Sequence, residues 1–82
     1  MKINKVIQDK RNFVYKGTIN NFTLGVVAFK IDKLFYNADV SFTLHSDHED
    51  KKILYILLKK AILRFYKDYQ FNINLIAKIK IK

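Results

Sequence analysis

The chain predicts a two-layer α+β fold: one sheet of four or five strands, antiparallel to mixed, with one long helix in the C-terminal half on a single face. Three observations carry this. Residues 13–44 alternate apolar and polar side chains, residues 46 to about 70 repeat at helical spacing, and residues 71–82 return to alternation. A chain of 82 residues has room for one core, so 1–82 is expected to form a single domain.

Lys2 to Gln8 is the least patterned segment, a short strand leading into an Asp9-Lys10-Arg11-Asn12 turn. Phe13 to Ile19 sets Phe13, Tyr15, Gly17 and Ile19 on one face. Asn20-Asn21 follows, and Asn tolerates the positive φ of a two-residue hairpin turn. Pairing Ile19 with Phe22 then opposes Leu24 to Gly17, Val26 to Tyr15 and Ala28 to Phe13. Leu34 to Leu44 alternates most cleanly and decides the next connection. A two-residue Asp32-Lys33 loop would oppose Leu24 to Ser41. A three-residue Ile31-Asp32-Lys33 loop, or a bulge, opposes Leu24 to Val40 and Val26 to Ala38. A one-residue slip inverts every side chain, so the apolar register is expected. These strands form a central three-stranded meander.

Ser46 followed by Glu49 is a capping-box pattern, and the acids beside it suit the positive end of a helix dipole. From there Leu54, Leu57, Leu58, Ala61, Ile62, Phe65 and Tyr69 fall on one side of a helix. Phe71 to Lys82 alternates again, with Phe71, Ile73, Leu75, Ala77, Ile79 and Ile81 inward. After a helical crossover it is expected to run parallel to Leu34–Leu44.

Charge narrows the function classes. Sixteen Lys and Arg stand against seven Asp and Glu, a net charge of +9 with a pI near 9.9. Three of those acids, Asp47, Glu49 and Asp50, share one short stretch, leaving four others among all sixteen cations. Half the residues are apolar, which excludes a disordered basic tail. Such an excess of cations predicts a polyanionic or acidic partner. With no cysteine there is no disulfide framework and no thiolate metal site. No apolar run reaches the roughly 18 residues of a membrane span, and Met1-Lys2-Ile3-Asn4-Lys5 leads into no apolar signal segment. A cytoplasmic protein with no membrane partner is expected, in the host cytoplasm if the gene is viral. The weight of Lys, Ile, Asn, Phe and Tyr points to an AT-rich genome, bacterial, archaeal, phage or viral.

Three surfaces carry candidate binding residues. On the uncovered sheet face, Phe29 opposite Phe35 beside Lys16, Lys30 and Lys33 resembles a stacking platform for unpaired bases. The alternative is a second small core in which Val14, Val27, Phe29 and Phe35 lie under the N-terminal segment. Lys78, Lys80 and Lys82 form a row at period two, either a phosphate-binding array or protection of an edge strand. The back of the helix sets Ile53, Ile56 and Leu63 among Lys60, Arg64 and Lys67. That surface reads as a partner interface, as a homodimer contact, or as a face covered by Ile3, Val6 and Ile7.

His45 and His48 beside Asp47, Glu49 and Asp50 have ligand chemistry, but the carboxylates are already suited to the helix start, so no metal is expected. No nucleophile–base set, glycine-rich phosphate loop or rigid carboxylate pair is present in the sequence, so neither catalysis nor a cofactor is expected.

Two functional readings follow. One is a small basic, non-enzymatic protein that binds nucleic acid, RNA included, or a nucleoprotein complex, mainly through the phosphate backbone. Lysine outnumbers arginine fourteen to two, which favours charge neutralisation over base reading. The other is an anti-defence accessory protein, a phage or mobile-element inhibitor of a bacterial machine such as a CRISPR effector, acting by protein–protein contact. It rests on likeness of size and composition alone.

Overall fold

The structure is a computed structural model that describes residues 1–44, 51–70 and 73–79, with the side chains of residues 51 and 77–79 outside the description. The chain forms an α+β arrangement: β1 (Lys2–Gln8), β2 (Asn12–Ile19), β3 (Phe22–Asp32), β4 (Asn37–Leu44), α1 (Lys51–Asp68) and β5 (Asn74–Ile79). The strands make one mixed sheet in chain order. The first four pair antiparallel, and β5 returns parallel to β4 after the helical crossover. The capping-box residues 46 and 49 and the histidine pair lie outside the described residues.

Local chemistry explains the joints. Asp9 closes the first turn by accepting from the backbone N–H groups of Arg11 and Asn12 at 2.8 and 2.7 Å. Those bonds, with a further one from the Asn12 side chain, hold its carboxyl below the ordinary value. Asn20 and Asn21 both take positive φ, 51° and 68°, as the two-residue hairpin requires, and Ile19 pairs with Phe22.

Beyond that pair the register departs from expectation. Thr18 still faces Thr23, but Gly17 faces Gly25, so Leu24 is an extra residue on β3. The bulge inverts the rest of β3. Val27, Phe29 and Ile31 point into the core, and Val26, Ala28 and Lys30 point away. The preference is physical, since Val, Phe and Ile bury far more apolar surface than Val, Ala and Lys.

The β3–β4 connection is corrected in turn. Neither the two- nor the three-residue loop forms. Asp32 pairs with Asn37, Ile31 with Ala38 and Phe29 with Val40, leaving a four-residue turn, Lys33 to Tyr36. The Asp32 carboxylate accepts from the Leu34 N–H at 3.0 Å. Tyr36 takes φ 54°, and its carbonyl accepts from the Asn74 N–H at 2.9 Å, tying the turn to β5. Of the alternating set Leu34, Tyr36, Ala38, Val40, Phe42 and Leu44, the last four are buried, whereas Leu34 and Tyr36 fall in the turn and are exposed.

The helix lays Leu57, Ala61 and Phe65 against the sheet, all fully buried, with Leu54, Leu58, Ile62 and Tyr69 packed partly buried beside them. Phe65 stacks on Phe29 at 4.2 Å, 2° from parallel, and meets Phe13 edge-on at 5.4 Å. Leu57 sits over the Gly17–Gly25 pair, where a Cβ on either glycine would meet its methyl groups. Neither glycine has positive φ, so space and not backbone freedom sets the requirement.

Candidate polyanion-binding surface

The structure separates the residues that the sequence grouped into a stacking platform. Phe29 is fully buried against Phe65 and Tyr15, which overturns its expected place on the open face. Its partner across the sheet is Val40, not Phe35. The alternative of a second core under the N-terminal segment fails too, because β1 joins the sheet edge beside β2. Lys16 and Lys30 do share the open face. They stand about 14 Å apart, since Lys30 pairs with Asn12, four residues before Lys16. None of the outward residues of β2, β3 and β4 between them is aromatic.

Lys33 and Phe35 lie at the β3–β4 turn, where Leu34, Phe35 and Tyr36 are all exposed, at 79%, 65% and 71%. Lys78 pairs with Ser41 along β5, and Lys80 and Lys82 lie outside the described residues.

Charge is unevenly laid out. The four described acids, Asp9, Asp32, Asp39 and Asp68, all lie toward the end of the sheet that holds the Asp9 turn, the Lys33–Tyr36 turn and the helix C-terminus. A groove of about 840 Å³ opens there, with Lys10 and Lys33 on its wall but Asp9 and Asp68 as well. It carries both signs and does not single out an anion.

Asp68 itself faces inward. It accepts from the Tyr15 hydroxyl at 2.8 Å and lies 3.6 Å from Lys5 Nζ and 3.5 Å from Arg64 Nε. Burial alone would raise its carboxyl, but the Tyr15 hydrogen bond and the Lys5 and Arg64 charges together outweigh that and hold it below the ordinary value. Burial first, then the bond to Asp68, pushes the Tyr15 phenol well above its usual range.

The helix's outer surface is different. Among the described residues its eight exposed positions are Lys52, Tyr55, Ile56, Lys59, Lys60, Leu63, Tyr66 and Lys67, four lysines with no carboxylate among them. They follow from periodicity, being the positions left over when Leu57, Ala61 and Phe65 face the sheet. At about 100° per residue seven of them fall into two adjoining ridges, Tyr55–Lys59–Tyr66 and Ile56–Lys60–Leu63–Lys67, with Lys52 between the two.

Of the interface residues expected on this side, Ile56, Lys60, Leu63 and Lys67 are exposed together. Ile53 is half-buried against the core and Arg64 turns to Asp68. The N-terminal strand does not cover the ridges. Val6 and Ile7 are exposed on β1, and Ile3 packs on the core from the sheet layer. The sequence reading missed Tyr55 and Tyr66, although the helical repeat that found the core also places them outside it.

No helix among the described residues is long and apolar enough to cross a membrane, and the described residues include no group of three or more side chains that could hold a metal ion. Comparison of the chain with protein-family models, with curated proteins and with solved structures gives no match.

Proposed function

We propose that this is a small, non-enzymatic, cytoplasmic binding protein that engages nucleic acid, alone or within a nucleoprotein complex, chiefly through the phosphate backbone. One observation carries the reading: among the described residues, the exposed helix surface presents Lys59, Lys60 and Lys67 with no carboxylate among its exposed positions, while the described acids lie toward one end of the sheet. Lysine is a hydrated point charge on a flexible stem, suited to neutralising phosphates without reading sequence. Reversing Lys59, Lys60 and Lys67 to Glu is expected to abolish retention of a labelled oligonucleotide at 50 mM salt. Reversing Lys16 and Lys30, on the sheet face, is expected to weaken it no more than a few-fold. Equal loss from both variants would mean that net charge alone attracts the ligand, and the helix surface would lose its assignment.

A second copy of the chain is a poor occupant of the same surface. A two-fold contact would set lysines against lysines with no carboxylate among the described exposed positions to oppose them, at a cost of several kcal/mol.

The inhibitor reading has its own support in the Leu34-Phe35-Tyr36 turn. Three consecutive large apolar side chains stand exposed on a turn braced by Asp32 and Asn74. An exposed apolar turn of this kind fits a protein surface better than a phosphate chain. Under this reading Leu34→Ser with Phe35→Ser eliminates capture of a host protein while leaving oligonucleotide affinity intact.

A further inference from the structure

We infer that the helix's outer surface is a binding track for single-stranded nucleic acid, with Tyr55 and Tyr66 as stacking platforms for bases and Lys59, Lys60 and Lys67 as phosphate contacts. This rests on the nucleic-acid reading above and specifies its ligand. Tyr55 is 67% exposed and Tyr66 44%, the Tyr66 ring lying tilted 6.0 Å from that of Phe65, so both side chains reach the surface and Tyr55 is the freer of the two. They are eleven residues apart, about 16 Å along the axis and only about 20° apart around it, so both rings stand on one ridge. Lys59 lies between them on that ridge, and Lys60 and Lys67 line the neighbouring one.

Stacking explains the tyrosines and charge the lysines. An unpaired strand offers π-faces and phosphates together, whereas a duplex hides its base faces and leaves exposed rings without a partner. The 18-residue helix, about 27 Å long, is sized for a short site on the order of four nucleotides. The absence of a carboxylate from the track fits an anionic occupant, and the lysines disfavour a second copy of the chain.

The test is fluorescence anisotropy of the full chain with a labelled 12-nucleotide strand of mixed sequence, as DNA and as RNA, and with the matching duplex, from 50 to 300 mM salt. Because Tyr55 and Tyr66 are exposed, Tyr55→Ala and Tyr66→Ala are expected to fold normally, which circular dichroism checks. Each is expected to weaken single-strand binding about tenfold while leaving the salt slope near −2, the value for roughly three phosphate contacts. Lys59→Gln with Lys67→Gln is expected to flatten that slope. Equal affinity for strand and duplex, with the tyrosine variants unchanged, would overturn the single-strand inference and leave the phosphate reading standing. No binding to any oligonucleotide at 50 mM salt would overturn both. Binding only to phosphatidylserine vesicles would do so as well, and would assign the track to an anionic membrane surface.

Discussion

Leu57 is the side chain on which helix and sheet agree in position. It occupies the notch left by Gly17 and Gly25, which face each other across β2 and β3. The two glycines differ in what opposes a methyl group. At Gly17 the obstacle is the end of the Leu57 side chain. At Gly25 it is also the Thr43 carbonyl oxygen, 2.7 Å from the built Cβ. Gly17→Ala is therefore expected to cost about 1–3 kcal/mol and to cost less in a Leu57→Ala background, a coupling that a double-mutant denaturation cycle reads directly. Gly25→Ala is expected to cost at least as much and to gain little relief from Leu57→Ala, because backbone does not yield. The sequence showed both glycines but not their pairing, which depends on the bulge at Leu24.

The part-buried carboxylate of Asp68 gives a second prediction at this scale. Its carboxyl sits below the unfolded value, so the stability it supplies is present above about pH 4 and is lost as pH falls through the lowered native value. Tyr15 behaves oppositely. Its phenol is raised, so its contribution is complete below about pH 10 and is lost as pH rises beyond that. Asp68→Asn is expected to lower stability by about 1.5–3 kcal/mol near neutrality and to flatten the acid limb of a stability–pH curve. An unchanged acid limb would show that Asp9 and the other carboxylates carry the acid sensitivity instead.

Among the elements, those with a strong single period were legible in advance and those set by register were not. The helix core stripe and the inward set of β4 follow from 3.6- and 2-residue repeats, and the structure keeps the first whole and the second from Ala38 onward. The β3 face was misread because alternation extended from the Asn20-Asn21 turn assumes no bulge. Yet Val27, Phe29 and Ile31 outweigh Val26, Ala28 and Lys30 in apolar size, a signal available without coordinates. The β3–β4 turn was placed early for a related reason. Leu34 and Tyr36 continue an apolar alternation that the backbone leaves at Asn37, and nothing in the pattern distinguishes an exposed apolar turn from strand. For the helix, Ile56→Ser with Leu63→Ser is expected to change thermal stability by only a few tenths of a kcal/mol, as for surface positions generally. Sedimentation of the parent chain at tens of micromolar is expected to give a monomer. A dimer that this double variant dissociates would return the helix's outer surface to self-association.

For the whole molecule, the net charge of +9 supports the proposal of an anionic partner without locating it. Among the described residues, folding sorts the charges. Helical periodicity turns Lys59, Lys60 and Lys67 outward together, while turn chemistry and the helix C-terminus keep Asp9, Asp32 and Asp68 toward one end of the sheet. The platform foreseen on the sheet dissolved for the reason the core exists, since Phe29 stabilises the fold more by stacking on Phe65 than by facing water. The most direct test is an amide chemical-shift map of the labelled protein titrated with a short unpaired oligonucleotide. The account predicts perturbations concentrated on residues 55–67, strongest near Tyr55, Lys59 and Tyr66. Perturbations confined to the open sheet face around Lys16 and Lys30, or to the Lys33–Tyr36 turn, would contradict it.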